Sequence, residues 1–401
     1  MSNTKSVIKK GNAIMKKFLA VVMALAMVFS FAACGGKKGG HADNELYVGA
    51  IGAATGDYAV YGLAVKYGAE IAVDEINAAG GVNGMKIVFD FQDSQGDPES
   101  AKSAYGKLMD WGMDISIGTV MSGEMASVTA ESANDDMFMI SPSASNDTCI
   151  SASSNAFRVC FYDSFQGTAA ADYVKATLSG KKVAVFYQSD NDYSIGLYDA
   201  FKAQAAVNGT EIVAEQSFTS DEKDFTTQIN TLADSKAEVV FLPIYAAEAS
   251  MFLSQAKNGT DNAVFAEGVY FFGCAGLDGI LEVVDNVSTA NNVVMLTPFA
   301  ASSTDADVVS FVEAYKAKTG GTVPNQFAAD GYDAVYVIKA ALEAMGVSKS
   351  SEVSGAKVSE AMTSLSYSGV TGDMTWTADG NTQKLATAVI YNDGVDTEFG
   401  K

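Results

Sequence analysis

The chain has 401 residues, of which 48% are hydrophobic and 18% charged, and its formal net charge is −22. This length exceeds the size at which a single hydrophobic core usually stops growing, so two lobes are expected. Residues 1–33 carry five lysines and no acid, which leaves a formal charge of −27 on the remainder. So acidic a surface repels phosphate backbones and argues against a nucleic acid partner.

Histidine and cysteine usage limits the possible chemistry. The only histidine, His41, lies in a Gly/Lys-rich linker, so the folded body holds no histidine for a general base or a zinc site. Cys149, Cys160 and Cys274 show no CxxC spacing, and we expect neither a metal nor a cofactor. Two interpretations of these cysteines stay open: a disulfide between Cys149 and Cys160, or three buried thiols that act as small hydrophobes.

The first 33 residues predict an export signal. Met15 is followed by two basic residues, Lys16 and Lys17, and then by the apolar run Phe18–Phe31. This run is short for a membrane span but suits a signal peptide. The sequence Ala32–Cys34 resembles a bacterial lipobox, which implies that Cys34 is lipidated and anchors the protein outside the cytoplasm. We expect translation to start at Met15 and residues 34–44 to form a flexible tether. An ordinary cleaved signal with an incidental cysteine is the alternative.

Strand-like and helix-like segments alternate from about residue 45. The predicted strands are 46–51, 86–91, 115–118, 138–140, 182–187, 211–214, 239–243 and 263–266. The predicted helices are 62–79, 97–111, 124–135, 195–208, 224–235 and 246–258. This alternation predicts an α/β fold with parallel sheets covered by helices. Because the pattern restarts near Lys182, we expect two such lobes.

Parallel sheets place ligand sites at the carboxyl ends of their strands. The residues that follow the predicted strands are rich in hydroxyls and tyrosines, and they lack lysine, arginine and a phosphate-binding GxxxxGK[ST] motif. The candidate ligand-binding residues are Tyr61, Ser122, Ser143, Ser145, Tyr193, Tyr245 and Glu267.

An amino acid would suit these candidates. Serine hydroxyls and helix N-terminal N–H groups bind a carboxylate, Glu267 would pair with an ammonium group, and tyrosines would line the side-chain pocket. Each residue also has an ordinary explanation, because serines often serve as turn or cap residues and loop tyrosines and acids often lie on the surface. Their shared position after predicted strands favours a site.

Long stretches of the chain resemble the periplasmic-binding-protein family of branched-chain amino acid transporters. They include TGDYAVYG, GAEIAVDEINAAGGVNGMKI, FQDSQGDPESA, ISPSASN, FRVCFYDSFQG, KKVAVFYQ, FVEAYKAKTGGTVPNQFAADGYDAVYVIKAAL and GVTGDMTW. The resemblance implies a type I binding fold with two Rossmann-like lobes and three crossovers, near Tyr162, Leu296 and Val370. It implies a first lobe of residues 45–162 with 297–370 and a second of 163–296 with 371–401.

The resemblance also implies roles for the candidate residues. Ser122 and Ser145 match hydroxyls that bind the ligand carboxylate, and Ser145 also matches a contact with the ammonium group. Ser143 matches a residue that contributes its carbonyl. Glu267 matches the acid on the ammonium group, and Tyr61, Tyr193 and Tyr245 match tyrosines that line the cleft. Since the family often has alanine at Ser143 and threonine at Ser145, a preference for Leu, Ile or Val does not follow.

We therefore expect a monomeric solute-binding protein that delivers an amino acid to an ABC permease in the membrane. One alternative is a binding protein for a short-chain amide, urea or another small metabolite, and Glu267 argues against it. A second is a sensory receptor ectodomain, which would require a membrane-spanning helix after the domain. An enzyme is not expected, because a serine hydrolase needs a base and the body has no histidine to serve as one.

Overall fold

The computed structural model describes residues 41–257, 264–382, 384 and 386–400. The predicted signal peptide, the predicted lipidation site Cys34 and the tether as far as residue 40 lie outside the described residues. No helix within the described ranges is long and apolar enough to cross a bilayer.

The first sheet has five parallel strands in the order β2-β1-β3-β4-β5. Its elements alternate along the chain as predicted up to β4, and β5, which the sequence analysis did not predict, follows without an intervening helix. They are β1 (Glu45–Gly52), α1 (Ala59–Ala78), β2 (Lys86–Asp93), α2 (Pro98–Trp111), β3 (Ile115–Ile117), α3 (Ser122–Ser132), β4 (Phe138–Ser141) and β5 (Ala156–Arg158).

Local sequence signals account for these elements. Asp97 caps α2 by accepting a hydrogen bond from the Ser100 backbone N at 2.8 Å, and Pro98 occupies the first helical position, where its missing N–H is not needed. Gly112 ends the helix in the left-handed conformation that glycine adopts most easily. Strand β1 is buried over most of its length, and this explains its continuous apolar run.

The second sheet has seven strands in the order β14-β13-β10-β9-β8-β6-β7. Strands β6 to β10 run parallel, and β13 and β14 add an antiparallel edge. The elements from the first sheet to β10 are α4 (Asp163–Thr177), β6 (Val183–Gln188), α5 (Asp192–Asn208), β7 (Ile212–Phe218), α6 (Thr226–Asp234), β8 (Val239–Phe241), α7 (Ala246–Lys257), β9 (Tyr270–Gly273), α8 (Ile280–Val283) and β10 (Val293–Thr297).

One predicted strand is wrong. Residues 264–266 are not extended, and the strand that pairs with β8 and β10 is Tyr270–Gly273. Both segments are short and apolar, and a short apolar run does not reveal which of two neighbours will enter a sheet. The correction matters because it changes which residues lie at the carboxyl end of β9.

The chain then returns to the first sheet before it ends on the second. These last elements are α9 (Ala306–Thr319), α10 (Gln326–Ala344), α11 (Gly355–Met362), β11 (Ser366–Gly369), β12 (Gly372–Thr375), β13 (Thr387–Asn392) and β14 (Val395–Glu398). Helix α10 packs closely on α1, and Gly68 permits this contact because a Cβ there would lie 1.9 Å from the Ala328 carbonyl oxygen.

The last crossover of the chain from the first sheet to the second comes after residue 380. The Trp376 indole donates to the Arg158 carbonyl at 2.7 Å, and the Arg158 backbone N donates to the Gly380 carbonyl at 3.1 Å. The segment up to Gly380 therefore packs on β5 of the first sheet, beyond the predicted crossover near Val370. The lobe boundaries remain a prediction; below, the first and second lobes are the elements packed on the first and second sheets.

A buried ion pair involves a residue of this last crossover. The Lys384 Nζ lies 3.0 Å from Asp330 Oδ1 on α10, and both side chains are almost completely buried. Lys384 also donates to the Thr371 hydroxyl, which in turn donates to Asp333. Lys384 is thus the cation of a pocket that contains two buried carboxyl groups, and it pairs directly with one of them.

We expect Lys384→Met to lower the free energy of unfolding by about 3–5 kcal/mol, because it leaves buried acids without a countercharge. Urea denaturation followed by circular dichroism measures this change. The control is Lys339→Met on α10, which removes an exposed pair with Glu343 and should change stability by less than about 1 kcal/mol. Equal urea midpoints for the two variants would contradict the expectation.

Candidate functional site

Two loops at the carboxyl edge of the first sheet carry the predicted serines. Ser122 is the first residue of α3, and its Oγ accepts hydrogen bonds from the backbone N of Ser145 at 3.2 Å and of Asn146 at 3.1 Å. The Ser143 hydroxyl donates to the Val120 carbonyl at 2.8 Å. These bonds join the loop after β3 to the loop after β4, so the three serines lie together.

Arg158 holds the second loop in place. It is the only arginine in the chain and is fully buried. Its Nη1 donates to the carbonyls of Ala144 at 3.1 Å and Asn146 at 3.0 Å, on either side of Ser145. The sequence offered one signal, the presence of a lone arginine in an acidic chain, but nothing in the sequence connected it with the serines.

The three predicted tyrosines form a buried cluster between the sheets. Tyr61, Tyr193 and Tyr245 are 0%, 3% and 7% exposed. The Tyr193 and Tyr245 rings stack with centroids 4.7 Å apart, and Tyr61 lies 5.6 Å from Tyr245. Tyr58, which sequence reasoning missed, packs edge-on against Tyr245 at 5.2 Å.

Tyr61 joins the two lobes directly. It belongs to α1 of the first lobe, yet its hydroxyl donates to the Gly276 carbonyl and accepts from the Ala246 backbone N, both at 2.7 Å. The Tyr193 hydroxyl accepts from the Gly276 backbone N at 2.7 Å. Gly276 permits these contacts, because a Cβ there would lie 2.8 Å from the Tyr193 ring.

The serines and the tyrosines lie at the junction between the two lobes, which is called the cleft below. The Asn146 side chain on the serine loop donates to the Asp192 carbonyl at 3.0 Å, at the start of α5 and beside Tyr193. Six of the seven predicted residues therefore lie at facing carboxyl edges of the two sheets. This convergence gives the cleft hydroxyls and helix N-termini on one side and aromatic walls on the other.

Glu267 does not join this group, and its predicted place in the cleft is wrong. It is exposed and precedes β9, and it lies near Lys181, Lys236 and Glu238. Lys181 and Glu238 precede β6 and β8, so this is the amino edge of the second sheet, opposite the tyrosines. The misplaced strand accounts for the error, because a strand at 263–266 would have put Glu267 at its carboxyl end.

Three other acids are buried around the cleft. Glu124, Asp163 and Glu248 are 1%, 1% and 6% exposed, and each lies in the first turn of a helix. Burial raises the pKa of Glu124 to about 7, raises that of Glu248, and raises that of Asp163 well above its ordinary value. The charges of Glu248 and Glu124 in turn contribute to the raised pKa of Tyr58.

The sequence did not single out these three acids. An acid in the first turn usually serves to balance the helix dipole, so its position alone does not indicate a buried group. Within the described part of the chain, no group of three or more histidine, cysteine or acidic side chains is arranged to hold a metal ion.

The cysteines follow the second of the two open interpretations. Cys149, Cys160 and Cys274 are free and buried, and the thiols of Cys149 and Cys160 both lie 3.6 Å from the Ala144 carbonyl. Burial raises the pKa of the Cys149 thiol to about 12. The Cys149 and Cys160 thiols therefore lie beside the serine loop, while the Cys274 Sγ lies 3.9 Å from the Gln166 carbonyl. All three are buried and act as small hydrophobic groups.

Residues 45–392 match the family model described as periplasmic binding protein. The chain belongs to this family of periplasmic binding proteins. The Leu/Ile/Val-binding protein homolog 3 of Brucella melitensis is 31% identical over 338 residues, which cover 82% of this chain and 89% of that protein. The Leu/Ile/Val-binding protein BraC3 of Rhizobium johnstonii is 30% identical over 343 residues, or 84% of this chain and 90% of that protein.

Solved structures show the same fold. The branched-chain amino acid transporter substrate binding protein LivJ of Streptococcus pneumoniae, in complex with isoleucine, superposes with a TM-score of 0.79 at 28% identity and covers 88% of this chain and 97% of its own. A Rhodopseudomonas palustris solute binding protein in complex with benzoate gives 0.77 at 22% identity, covering 89% and 96%. The predicted type I fold is confirmed, and this periplasmic binding protein is of the branched-chain amino acid transporter type.

The buried acids of this periplasmic binding protein predict an unusual pH dependence of stability. The pKa of Glu124 rises from 4.5 to about 7 on folding, mainly through burial, with Asp93 and Asp97 adding repulsion and Ser94 and the Met121 backbone opposing it. Folding disfavours the charged form of Glu124, so ionisation of this group lowers the stability of the folded protein. This loss of stability is absent below pH 4.5 and complete above pH 7. Converting the shift gives at most about 3 kcal/mol.

We expect the unfolding free energy of the wild type to fall between pH 5 and pH 8, and Glu124→Gln to reduce that fall by about 1–3 kcal/mol. Urea titrations at the two pH values measure it. Glu267→Gln is the control, because this exposed acid should leave the pH dependence unchanged. A Glu124→Gln variant with the wild-type pH dependence would show that this carboxyl group does not titrate with folding.

Proposed function

We propose that this protein captures an amino acid in the cleft between its two sheets and delivers it to an ABC permease. The observation that carries the proposal is the convergence of Ser122, Ser143 and Ser145 on the buried tyrosines of the second lobe. The isoleucine bound by LivJ, at 28% identity, supports an amino acid ligand. The names of the Brucella and Rhizobium relatives support the same ligand class.

The serine side of the cleft suits the carboxylate of such a ligand. Helix α3 begins at Ser122 and is 11 residues long, so its first N–H groups and its dipole favour a negative charge there. The Ser145 hydroxyl, on a loop held by Arg158, adds a donor. Aromatic rings with polar tips would then enclose the side chain of the ligand.

Closure of the two lobes follows from contacts on both sides of the ligand. A solute that touches the serines of the first lobe and the tyrosines of the second lobe gains its full set of contacts only when the lobes meet, so binding shifts the population toward the closed form. Tyr61 already spans the two lobes through Gly276 and Ala246. The closed form would be the one that docks on the permease.

Calorimetry with the twenty standard amino acids tests the ligand class. We expect at least one to bind with micromolar affinity, which corresponds to about −8 kcal/mol. An uncharged short-chain amide or urea, included in the same panel, tests the alternative ligand class. If none of the amino acids gives a binding signal and none raises the melting temperature, the proposal is overturned.

We expect Ser145→Ala to weaken binding of the best amino acid by about 10- to 150-fold, because a lost hydrogen bond to a charged group corresponds to about 1.5–3 kcal/mol. Calorimetry on the purified variant measures this loss. Ser151→Ala, an exposed serine in the next turn of the chain, is the matched control and should bind like the wild type. Equal affinity in both variants would exclude Ser145 from the site.

We also propose that Cys34 carries a lipid anchor, on the basis of the apolar run and the small residues that precede it. In bacteria that express Cys34→Ser, the protein should move from the membrane fraction to the soluble fraction, while its amino acid affinity stays unchanged. Immunoblotting of the separated fractions measures the shift. A variant that remains with the membrane would favour an uncleaved signal or another mode of attachment.

A further inference from the structure

A separate cavity of about 450 Å³ is lined by residues of both lobes, and it is called the second cavity below. The first lobe contributes part of α9 and the loop that leads into α10, and the second lobe contributes α8, β10 and the turn between β13 and β14. None of the predicted serines and tyrosines of the cleft lines it. Its volume lies within the range of about 300–1,000 Å³ that is typical of small-molecule sites.

Packed residues lie between the second cavity and the tyrosine cluster. Gly276 accepts the hydrogen bond of the Tyr61 hydroxyl, and Asp278, two residues further along the chain, lines the cavity. The Asp278 Oδ2 accepts from the Gln326 backbone N at 2.7 Å, so this carboxylate joins the second lobe to the start of α10. Phe327, the next residue of α10, packs on the Tyr61 ring with centroids 4.5 Å apart. A ligand in the second cavity would therefore contact both lobes without entering the cleft.

Apolar side chains form much of the lining of the second cavity. Phe299 and Tyr391 line it and are buried, whereas Val323 and Val395 line it and are 52% and 58% exposed. Only five large hydrophobic side chains are exposed within the described part of the chain, and these two belong to different lobes. Exposed apolar side chains that border one concave surface indicate a contact with a partner. The lining thus favours a ligand with an apolar body.

The charged part of the lining is mainly acidic. Asp278, Glu282 and Asp396 line the second cavity, and Lys316 is the one basic residue among the lining residues. No ion pair within the described residues joins Lys316 to any of the three acids. Burial raises the pKa of Asp278 to about 7, and the charge of Asp396 adds to this rise. The carboxylates, together with the aromatic rings beside them, would attract a cation.

We propose that the second cavity binds a small organic cation, an amine with an apolar body. The ammonium group would lie near Asp278 and Asp396, and the apolar body would pack against Phe299, Val323 and Val395. An anion of the same shape would be repelled by the acids, and an uncharged molecule would leave them without a countercharge. The inference goes beyond the proposed function, because it assigns a second ligand, without a carboxylate, to residues that do not form the cleft.

Three probes of similar size and different charge test the ligand class on the wild-type protein. They are 2-phenylethylamine, 2-phenylethanol and 3-phenylpropanoate, compared by calorimetry at about pH 8, where Asp278 is mostly ionised. We expect the amine to bind at least tenfold more tightly than the alcohol, and the acid not to bind. An amine that does not bind, or that binds no more tightly than the alcohol, overturns the inference.

Variants of the lining test the location of the bound amine. We expect Ala301→Phe, which fills the second cavity, to abolish amine binding, and Glu282→Gln, which removes one of the acids, to weaken it at least threefold. Ala206→Phe, at an exposed alanine of α5, and Glu267→Gln, at an exposed acid, are the matched controls and should bind the amine like the wild type. The melting temperature establishes that each variant is folded. Wild-type amine affinity in a folded Ala301→Phe protein would place the amine elsewhere and overturn the inference.

Competition with an amino acid separates the two proposals. We expect the amine to bind with equal or higher affinity when the protein is saturated with its best amino acid, since the two sites are distinct. An amine that the amino acid displaces lies in the cleft, which overturns the second site and leaves the proposed function standing. A protein that binds no amino acid, yet binds the amine in a manner that Ala301→Phe abolishes, overturns the proposed function and supports the second site.

Discussion

The hydroxyl of Tyr61 connects the two halves of the molecule. It is carried by α1, which packs on the first sheet, and it bonds to backbone groups of Ala246 and Gly276, which follow strands of the second. Two parallel sheets can meet in this way only if their carboxyl ends face each other, because that is where the connecting loops and the helix N-termini lie. Every other feature of the cleft depends on this arrangement.

Much of the fold could be predicted because local signals agreed with the hydrophobic pattern. The apolar run of β1 indicated a buried strand, and Asp97-Pro98 indicated the start of a helix; the structure has both. Glu267 failed for the opposite reason. A short apolar run lies on either side of Glu267, and each could form the next strand. The prediction used the first run, which placed Glu267 at the carboxyl edge of the sheet, whereas the second run forms the strand and Glu267 lies at the amino edge.

The buried acids show a different limit of sequence reasoning. Glu124, Asp163 and Glu248 lie in first helical turns, where acids are favoured on most solvent-exposed helices. What distinguishes them is the packing of a second lobe over the helix ends, and that depends on contacts between residues far apart in the chain. The same holds for Arg158, whose bonds to the serine loop join positions that the sequence pattern does not relate.

An acid such as Asp163 is tolerated in a cleft for a physical reason. Packing α4 against α5 at Gly196 excludes water from the carboxylate, which disfavours its charge and lowers stability. The large apolar cores around both sheets supply the stability that allows such a group to persist.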